Sequence, residues 1–166
     1  MLLKPMIAVC AAGLMTAAGH AATPAKAKPT ITRVVGSPTA VISSSVDIPA
    51  GSRIIMLSGS TASPIDPAKP DDFGDTATQT KSILTKMKAT LEGMGLSMGD
   101  IVKMNVFLVA PTPGGRMDSA GMNEVFKTFF GTPEQPNRPA RSTVQVAALG
   151  RPTTFVEIEG MVAKAP

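Results

Sequence analysis

The segment 139-PARSTVQVAALG-150 places an arginine at the predicted start of a β-strand, shortly after a proline. Valines then alternate with polar residues, which is the pattern of a strand with two unlike faces. By this alternation Arg141 and Thr143 share one face, and Val144 and Val146 share the other. The fold and the function both depend on what this strand pairs with and on what the guanidinium of Arg141 meets.

Hydrophobic periodicity predicts strands and two helices around this segment. The order along the chain is strands, helix, strand, helix, strand, strand. That order is typical of an α+β layer in which both helices pack on one face of a mixed β-sheet. Residues 59–75 are predicted to be a long loop, and the first helix is predicted to begin with a capping box over 76–79. The strands are predicted near 31–35, 41–46, 53–58, 100–110, 141–147 and 154–162, and the helices near 76–94 and 118–130.

The face of the sheet away from the helices is predicted to carry charge. If the last two strands form a hairpin about residues 150–152, Arg141 lies across from residue 161 on that face, with Glu157 and Glu159 close by. In this arrangement Glu159 is the nearer acid within one chain. A cross-strand ion pair with either glutamate would be a purely structural role for the arginine.

The first 21 residues resemble a leader in composition. Residues 1–21 combine one lysine, an apolar run and a small-residue end, which is the layout of a secretory signal peptide, so we expect a periplasmic or secreted protein. Cys10 and His20, the single cysteine and histidine, both lie inside this leader. A processed chain would therefore have no disulfide, thiolate nucleophile, Cys/His metal site or Ser-His-Asp relay. Residues 22–30 are predicted to be a flexible segment, and residues 31–166 one domain.

Charge and composition argue against several partners. The formal net charge is +4, the basic residues are scattered, and the chain has neither Trp nor Tyr. Nucleic-acid surfaces usually combine a basic stripe with stacking aromatics, so we expect no nucleic-acid partner. After the leader no segment approaches the roughly 20 apolar residues of a membrane helix. Asp71, Asp72 and Asp75 are too few ligands for a hard cation, so no metal is expected.

The C-terminal half carries a more specific pattern. The segment 139-PARSTVQVAALGRPTTFVEIEGMVA-163 resembles the Pro-Ala-Arg-Ser-x-Val and Glu-Ile-Glu signature of the Rid (YjgF, reactive intermediate deaminase) family. The segments 54–59, 95–109 and 122–130 also resemble family segments, in the same order. The resemblance implies a chorismate-mutase-like α+β subunit that forms a homotrimer. It also implies a small-ligand site in each cleft between neighbouring subunits, and no cofactor.

The resemblance further implies a role for each site residue. Arg141 would bind the carboxylate of a 2-imino acid, and Glu157 would activate the attacking water. A planar guanidinium binds a carboxylate bidentately and keeps its charge, while a glutamate can transfer the proton, so this chemistry needs neither Cys nor His. The residues expected to line the pocket are Ser58, Gly59, Asn123 and Thr143.

Three functions are compatible with this pattern. The first is hydrolysis of reactive 2-imino acids (or their enamines) to 2-oxo acids and ammonia. The second is a non-catalytic trimer that binds small carboxylates, such as 2-oxo or amino acids, through Arg141. It is suggested by Thr143, which stands where many family members have Cys, and by the absence of the Tyr that often covers the substrate in imine deaminases. The third is an endoribonuclease-like activity, which has family precedent but finds no basic stripe here.

Overall fold

Two helices cover one face of a four-stranded sheet in the computed structural model, which describes residues 27–166. The predicted leader, residues 1–21, lies outside the described residues. A separate two-stranded sheet precedes the main one. This architecture confirms the predicted α+β class with a mixed sheet. In chain order the elements are β1 (Thr32–Val34), β2 (Ser45–Asp47), β3 (Arg53–Thr61), α1 (Thr76–Gly93), a 3₁₀ turn (Met98–Asp100), β4 (Ile101–Leu108), α2 (Ser119–Phe129), β5 (Ala140–Gln145) and β6 (Val156–Lys164).

The strands of the main sheet lie in the order β3-β6-β4-β5. β6 is antiparallel to β3 and β4, whereas β4 and β5 are parallel. The predicted hairpin of the last two strands is therefore wrong, because β4 lies between them. Arg141 is level with Met104 of β4, and Glu157 is level with Phe107 of the same strand. The physical reason is the helix α2 between β4 and β5, since strands joined through a helix pair in parallel.

Aspartates start both helices. Asp75 precedes α1, and its side chain accepts a hydrogen bond of 2.8 Å from the backbone N–H of Thr78. The predicted capping box over 76–79 is thus replaced by a cap one residue earlier. Asp118 caps α2 in the same way, accepting from the N–H of Gly121 at 2.9 Å. A carboxylate at this position accepts a hydrogen bond from a backbone N–H group that has no partner within the helix. Its negative charge also interacts favourably with the positive end of the helix dipole.

The core lies between the helices and the sheet. Each helix contributes an apolar stripe, and the inward residues of β4 and β6 are fully buried beneath these stripes. Burial of each such side chain stabilises the fold by roughly 1.5–3 kcal/mol. The side chains that join the two layers include Ile83, Leu84, Met87, Leu91, Met104, Val106, Met122, Phe126, Val156 and Ile158.

None of the helices within residues 27–166 has the length and apolar character to cross a bilayer.

The N-terminal part of the described chain attaches to the outer edge of β5. Ser43 is 2% exposed and forms a parallel bridge with Ala140. Its N–H donates to the carbonyl of Pro139 at 3.0 Å, and its hydroxyl donates to the carbonyl of Arg138 at 2.7 Å. The segment around Ser43 therefore occupies the edge of the sheet next to the strand that carries Arg141.

Candidate functional site

Arg141 packs against α2, on the helical side of β5. Its Nη2 donates to Oδ1 of Asn123 at 2.7 Å, and its Nη1 approaches the sulfur of Met122 at 3.5 Å. The guanidinium carbon lies 4.4 Å from the ring centroid of Phe126. Cation–π contacts of this kind contribute about 0.5–2 kcal/mol. The prediction that Arg141 shares the open face with the glutamates is therefore wrong, because the edge strand β5 turns this side chain toward α2.

The charge of Arg141 has no acidic counterpart in the described chain. Burial lowers the pKa of its guanidinium from its ordinary value to about 10, because desolvation disfavours the charged form. It still remains a cation at neutral pH. A partly desolvated cation without an acid beside it attracts a small carboxylate strongly. The ion pairs within residues 27–166, in none of which Arg141 takes part, join Lys88 to Glu92, Arg151 to Asp71 and Lys164 to Asp100.

Thr143 lies two residues along the same face of β5. It is level with Val106, and its hydroxyl is buried with no hydrogen-bond partner among the described residues. A buried hydroxyl without a hydrogen-bond partner lowers the stability of the folded state by about 1–3 kcal/mol. The structure thus brings three of the predicted site residues to one side of β5. We call Arg141, Asn123 and Thr143 the cation cluster.

Glu157 belongs to a second group of site residues, beside β3. It lies on the open face of the sheet, and a side chain added at Gly59 would collide with its carboxylate. The register of β3 against β6 shifts between Leu57 and Ser60, so Ser58 and Gly59 form a β-bulge there. A glycine in this bulge lets the backbone approach the carboxylate closely. We call Ser58, Gly59 and Glu157 the acid cluster.

Hydrogen bonding distinguishes the two glutamates of β6. Asn105 of β4 donates through Nδ2 to Oε1 of Glu159 at 2.7 Å. Glu157, in contrast, makes no side-chain hydrogen bond with the described residues. Sequence reasoning missed the role of Asn105, although the two-residue period of β4 already put it on the open face. The structure therefore leaves Glu157 as the acid with free oxygens.

The two clusters lie on opposite faces of the sheet. The cation cluster faces α2 from β5, whereas the acid cluster lies on the open face next to the β3 edge, and β4 separates the strands that carry Arg141 and Glu157. A small molecule cannot touch both residues in one chain, because the sheet itself lies between them. A site that uses both needs Arg141 of one copy and Glu157 of another.

Comparison with known proteins supports the sequence resemblance. The family model described as "Endoribonuclease L-PSP" matches residues 38–164. One similar protein is the 2-iminobutanoate/2-iminopropanoate deaminase of Escherichia coli K12. It is 34% identical over 112 residues, which cover 68% of this chain and 80% of that protein. The residues that the family model matches, 38–164, include both clusters.

Solved structures agree with this result. The crystal structure of Escherichia coli TdcF with bound serine superimposes with a TM-score of 0.55 at 34% identity, covering 71% of this chain and 85% of that one. The Yersinia pestis Rid-family protein YyfB gives a TM-score of 0.60 at 24% identity, covering 80% and 98% of the two chains, and supports the fold alone. The fold is thus the chorismate-mutase-like fold of these neighbours. The chain belongs to the Endoribonuclease L-PSP family, which is also the YjgF/Rid family.

Proposed function

We propose that this protein hydrolyses reactive 2-imino acids to 2-oxo acids and ammonia, without a cofactor, at a site shared between two copies of the chain. The observation that carries the proposal is the environment of Arg141. Its guanidinium is partly desolvated and held between Asn123 and Phe126, and no carboxylate of the described chain neutralises it. The named activity of the E. coli deaminase supports the choice of substrate class.

Arg141 binds the substrate carboxylate in this proposal. Asn123 occupies one N–H group of Nη2 and fixes the plane of the guanidinium, so other N–H groups are left for a carboxylate. A bound carboxylate fixes the adjacent imine carbon relative to the protein. Thr143 lies on the same face and lines the space beside it. Fixing the geometry in this way lowers the barrier to attack by water.

Glu157 of a neighbouring copy acts as the general base. It accepts a proton from water while the water oxygen bonds to the imine carbon, and the proton is passed on to the nitrogen. As the resulting tetrahedral intermediate collapses, the hydroxyl proton passes through Glu157 to the departing nitrogen, the C–N bond breaks, ammonia leaves and the carbonyl of the 2-oxo acid forms. Ser58 and Gly59 line the side of the site next to this carboxylate. Glu157 is assigned this role because its carboxylate oxygens are free. Glu159 is not, because its Oε1 accepts a hydrogen bond from Asn105.

A homotrimer would complete the site. The open face and its edges expose apolar side chains, with Ile54 at 43%, Met56 at 68% and Val144 at 46%. Large apolar side chains exposed at both edges of the sheet suggest an interface at each edge, and closed rings of identical subunits use two different surfaces of each copy. Burying this surface would also bring the cation cluster of one copy to the acid cluster of the next.

A second candidate is a non-catalytic trimer that binds small carboxylates through Arg141. The specific observation in its favour is the complete absence of tyrosine from the sequence. The serine bound by TdcF shows that a relative holds a small amino acid. In this case the cation cluster keeps its role, and Glu157 is dispensable for ligand binding.

The test generates a 2-imino acid in solution with an amino-acid oxidase and measures its disappearance. We expect the intact protein to accelerate hydrolysis, Arg141→Ala to lower kcat/KM by about 100-fold or more, and Glu157→Gln to lower kcat by about 100-fold. Arg151→Ala is the matched control, because Arg151 lies on an exposed loop with Asp71. If the intact protein does not accelerate hydrolysis but binds 2-oxo acids through Arg141, the second candidate, the non-catalytic carboxylate binder, is the correct function.

Subunit mixing tests whether the site is shared. Arg141→Ala and Glu157→Gln chains should each keep only about 1% of the activity alone, but co-expression at equal amounts creates interfaces that combine an intact Arg141 with an intact Glu157. Random assembly gives about one quarter of the wild-type sites, so about one quarter of the activity should return. No recovery in mixed trimers, verified by differential tags, would contradict the shared site. Incubation with single-stranded RNA tests the endoribonuclease-like alternative, which predicts that the RNA is cleaved.

A further inference from the structure

Gln79 in the first turn of α1 is a fully buried polar side chain, with 0% of its surface exposed. Its Nε2 donates to the carbonyls of Gly74 at 3.0 Å and Thr153 at 2.9 Å. Its Oε1 accepts from the N–H groups of Phe155 at 2.8 Å and Val156 at 3.3 Å. A buried amide with both donors and both acceptor positions in use holds its neighbours in one fixed arrangement.

These four hydrogen bonds join two segments of the chain. They connect the start of α1 and the end of the loop before it to residues 153–156, which run from a turn into the first residue of β6. The pairing of β3 with β6 reaches only as far as Thr61 and Glu157. The N–H groups of the two residues before Glu157 therefore find their acceptor in the side chain of Gln79.

We infer that Gln79 is a positioning residue for the proposed reaction, acting through Glu157. The inference rests on the proposed function, in which Glu157 is the base. Glu157 directly follows Val156, and no side-chain hydrogen bond with the described residues orients its carboxylate. Its backbone is paired with Phe107 of β4 and with Thr61 of β3, Gln79 holds the residues just before it, and Gly59 lies against its carboxylate. Displacement of a catalytic group by about 1 Å can lower the rate by about 100-fold.

Two substitutions separate the parts of this contact. Gln79→Met keeps the length of the side chain but leaves two buried N–H groups and two carbonyls without partners. Gln79→Glu keeps oxygen acceptors for Phe155 and Val156 but loses the amide donors. If the donors matter only for stability, Gln79→Glu should retain more of kcat than Gln79→Met. Gln79→Glu also provides the test if the Gln79→Met variant does not fold.

The experiment measures kcat and KM for both Gln79 variants in the intact chain and in the Glu157→Gln background. We expect Gln79→Met to lower kcat by roughly 10- to 100-fold with KM changed less than about twofold, because Arg141 of the other copy still binds the carboxylate. In the Glu157→Gln background the same change should cause no further loss. Gln135→Met is the matched control. Gln135 also donates to two carbonyls, of Phe129 and Asn137, but in the loop between α2 and β5.

The outcomes distinguish this inference from the proposed function. An intact protein that does not accelerate hydrolysis overturns both. An active protein that loses kcat in Glu157→Gln but keeps it in both Gln79 variants overturns only the inference. The inference also fails if the loss from Gln79→Met is equally large in the Glu157→Gln background, because Gln79 would then act on stability or on another group.

Discussion

The cation cluster and the acid cluster solve different physical problems. Arg141 is partly buried and fixed on two sides, by a hydrogen bond to Asn123 and by the ring of Phe126. Glu157 lies on the open face with free oxygens, and only the bare backbone at Gly59 approaches it closely. The first arrangement suits a group that must bind without moving. The second suits a group that must exchange a proton with water.

Under the proposed function, this difference divides ligand binding from proton transfer. Desolvation lowers the pKa of Arg141 to about 10, which leaves it charged at neutral pH but strengthens its attraction for an anion. A carboxylate buried to the same degree would tend to protonate and lose its value as a base. Glu157 lies on the opposite face of the sheet from this desolvated cluster. Changes at the two clusters should therefore affect different kinetic constants.

The sharpest test of the difference is Gly59→Ala. The added methyl group would collide with the carboxylate of Glu157, so we expect kcat to fall by roughly 10- to 100-fold while KM stays within about twofold. Steady-state kinetics on imino acids checks this. Gly93→Ala is the matched control, because no atom lies within 4 Å of the added position, and it should leave kcat unchanged. A large rise in KM for Gly59→Ala would show that the acid cluster binds the carboxylate.

A smaller effect is expected from Asn123→Asp. The new carboxylate would lie beside Nη2 of Arg141, where Oδ1 of Asn123 now accepts at 2.7 Å, and would compete with the ligand for the cation. We expect KM and the Kd for 2-oxo acids to rise about tenfold with little change in kcat. Titration calorimetry and kinetics measure these values. The exposed Asn137→Asp controls for the added negative charge. An unchanged Kd would show that the ligand does not use Arg141.

The smallest effect is expected from Glu159→Gln. The new amide oxygen can still accept from Asn105, which now donates to the carboxylate at 2.7 Å. We therefore expect kcat to change by less than about twofold, in contrast to Glu157→Gln. The comparison of the two variants at several pH values measures this. Equal losses of kcat in both would mean that the two glutamates act together, and the distinction between them would be lost.

Local sequence patterns were sufficient for the fold class and for most of its helices and strands, but not for their arrangement. The apolar stripes of the helices predicted one covered face of the sheet, and this is confirmed. The family signature indicated Arg141 and Glu157. Nothing tests the predicted leader, trimer, periplasmic location or catalytic roles, and they remain predictions. The bulge at Ser58 and Gly59 escaped prediction because it exists only in the register of β3 against β6.

The predicted orientation of β5 was wrong for a physical reason. Alternation separated Arg141 from Val144 correctly, but the valine was assumed to point toward the core. Val144 is 46% exposed on the open face, because β5 is the last strand of the main sheet. There α2 offers the ring of Phe126 and the amide of Asn123, which suit a guanidinium better than an aliphatic group. Side-chain chemistry on the neighbouring helix, and not hydrophobicity alone, decides which way such a strand faces.

The bridge between Ser43 and Ala140 has a consequence for how the chain behaves when it is shortened. Without residues before β2, the backbone at the start of β5 would lose the donors that Ser43 now supplies to Arg138 and Pro139. Uncovered strand backbone recruits other chains. Truncated forms should therefore self-associate in irregular aggregates, because the N-terminal segment no longer protects the strand that carries Arg141 from pairing with another chain.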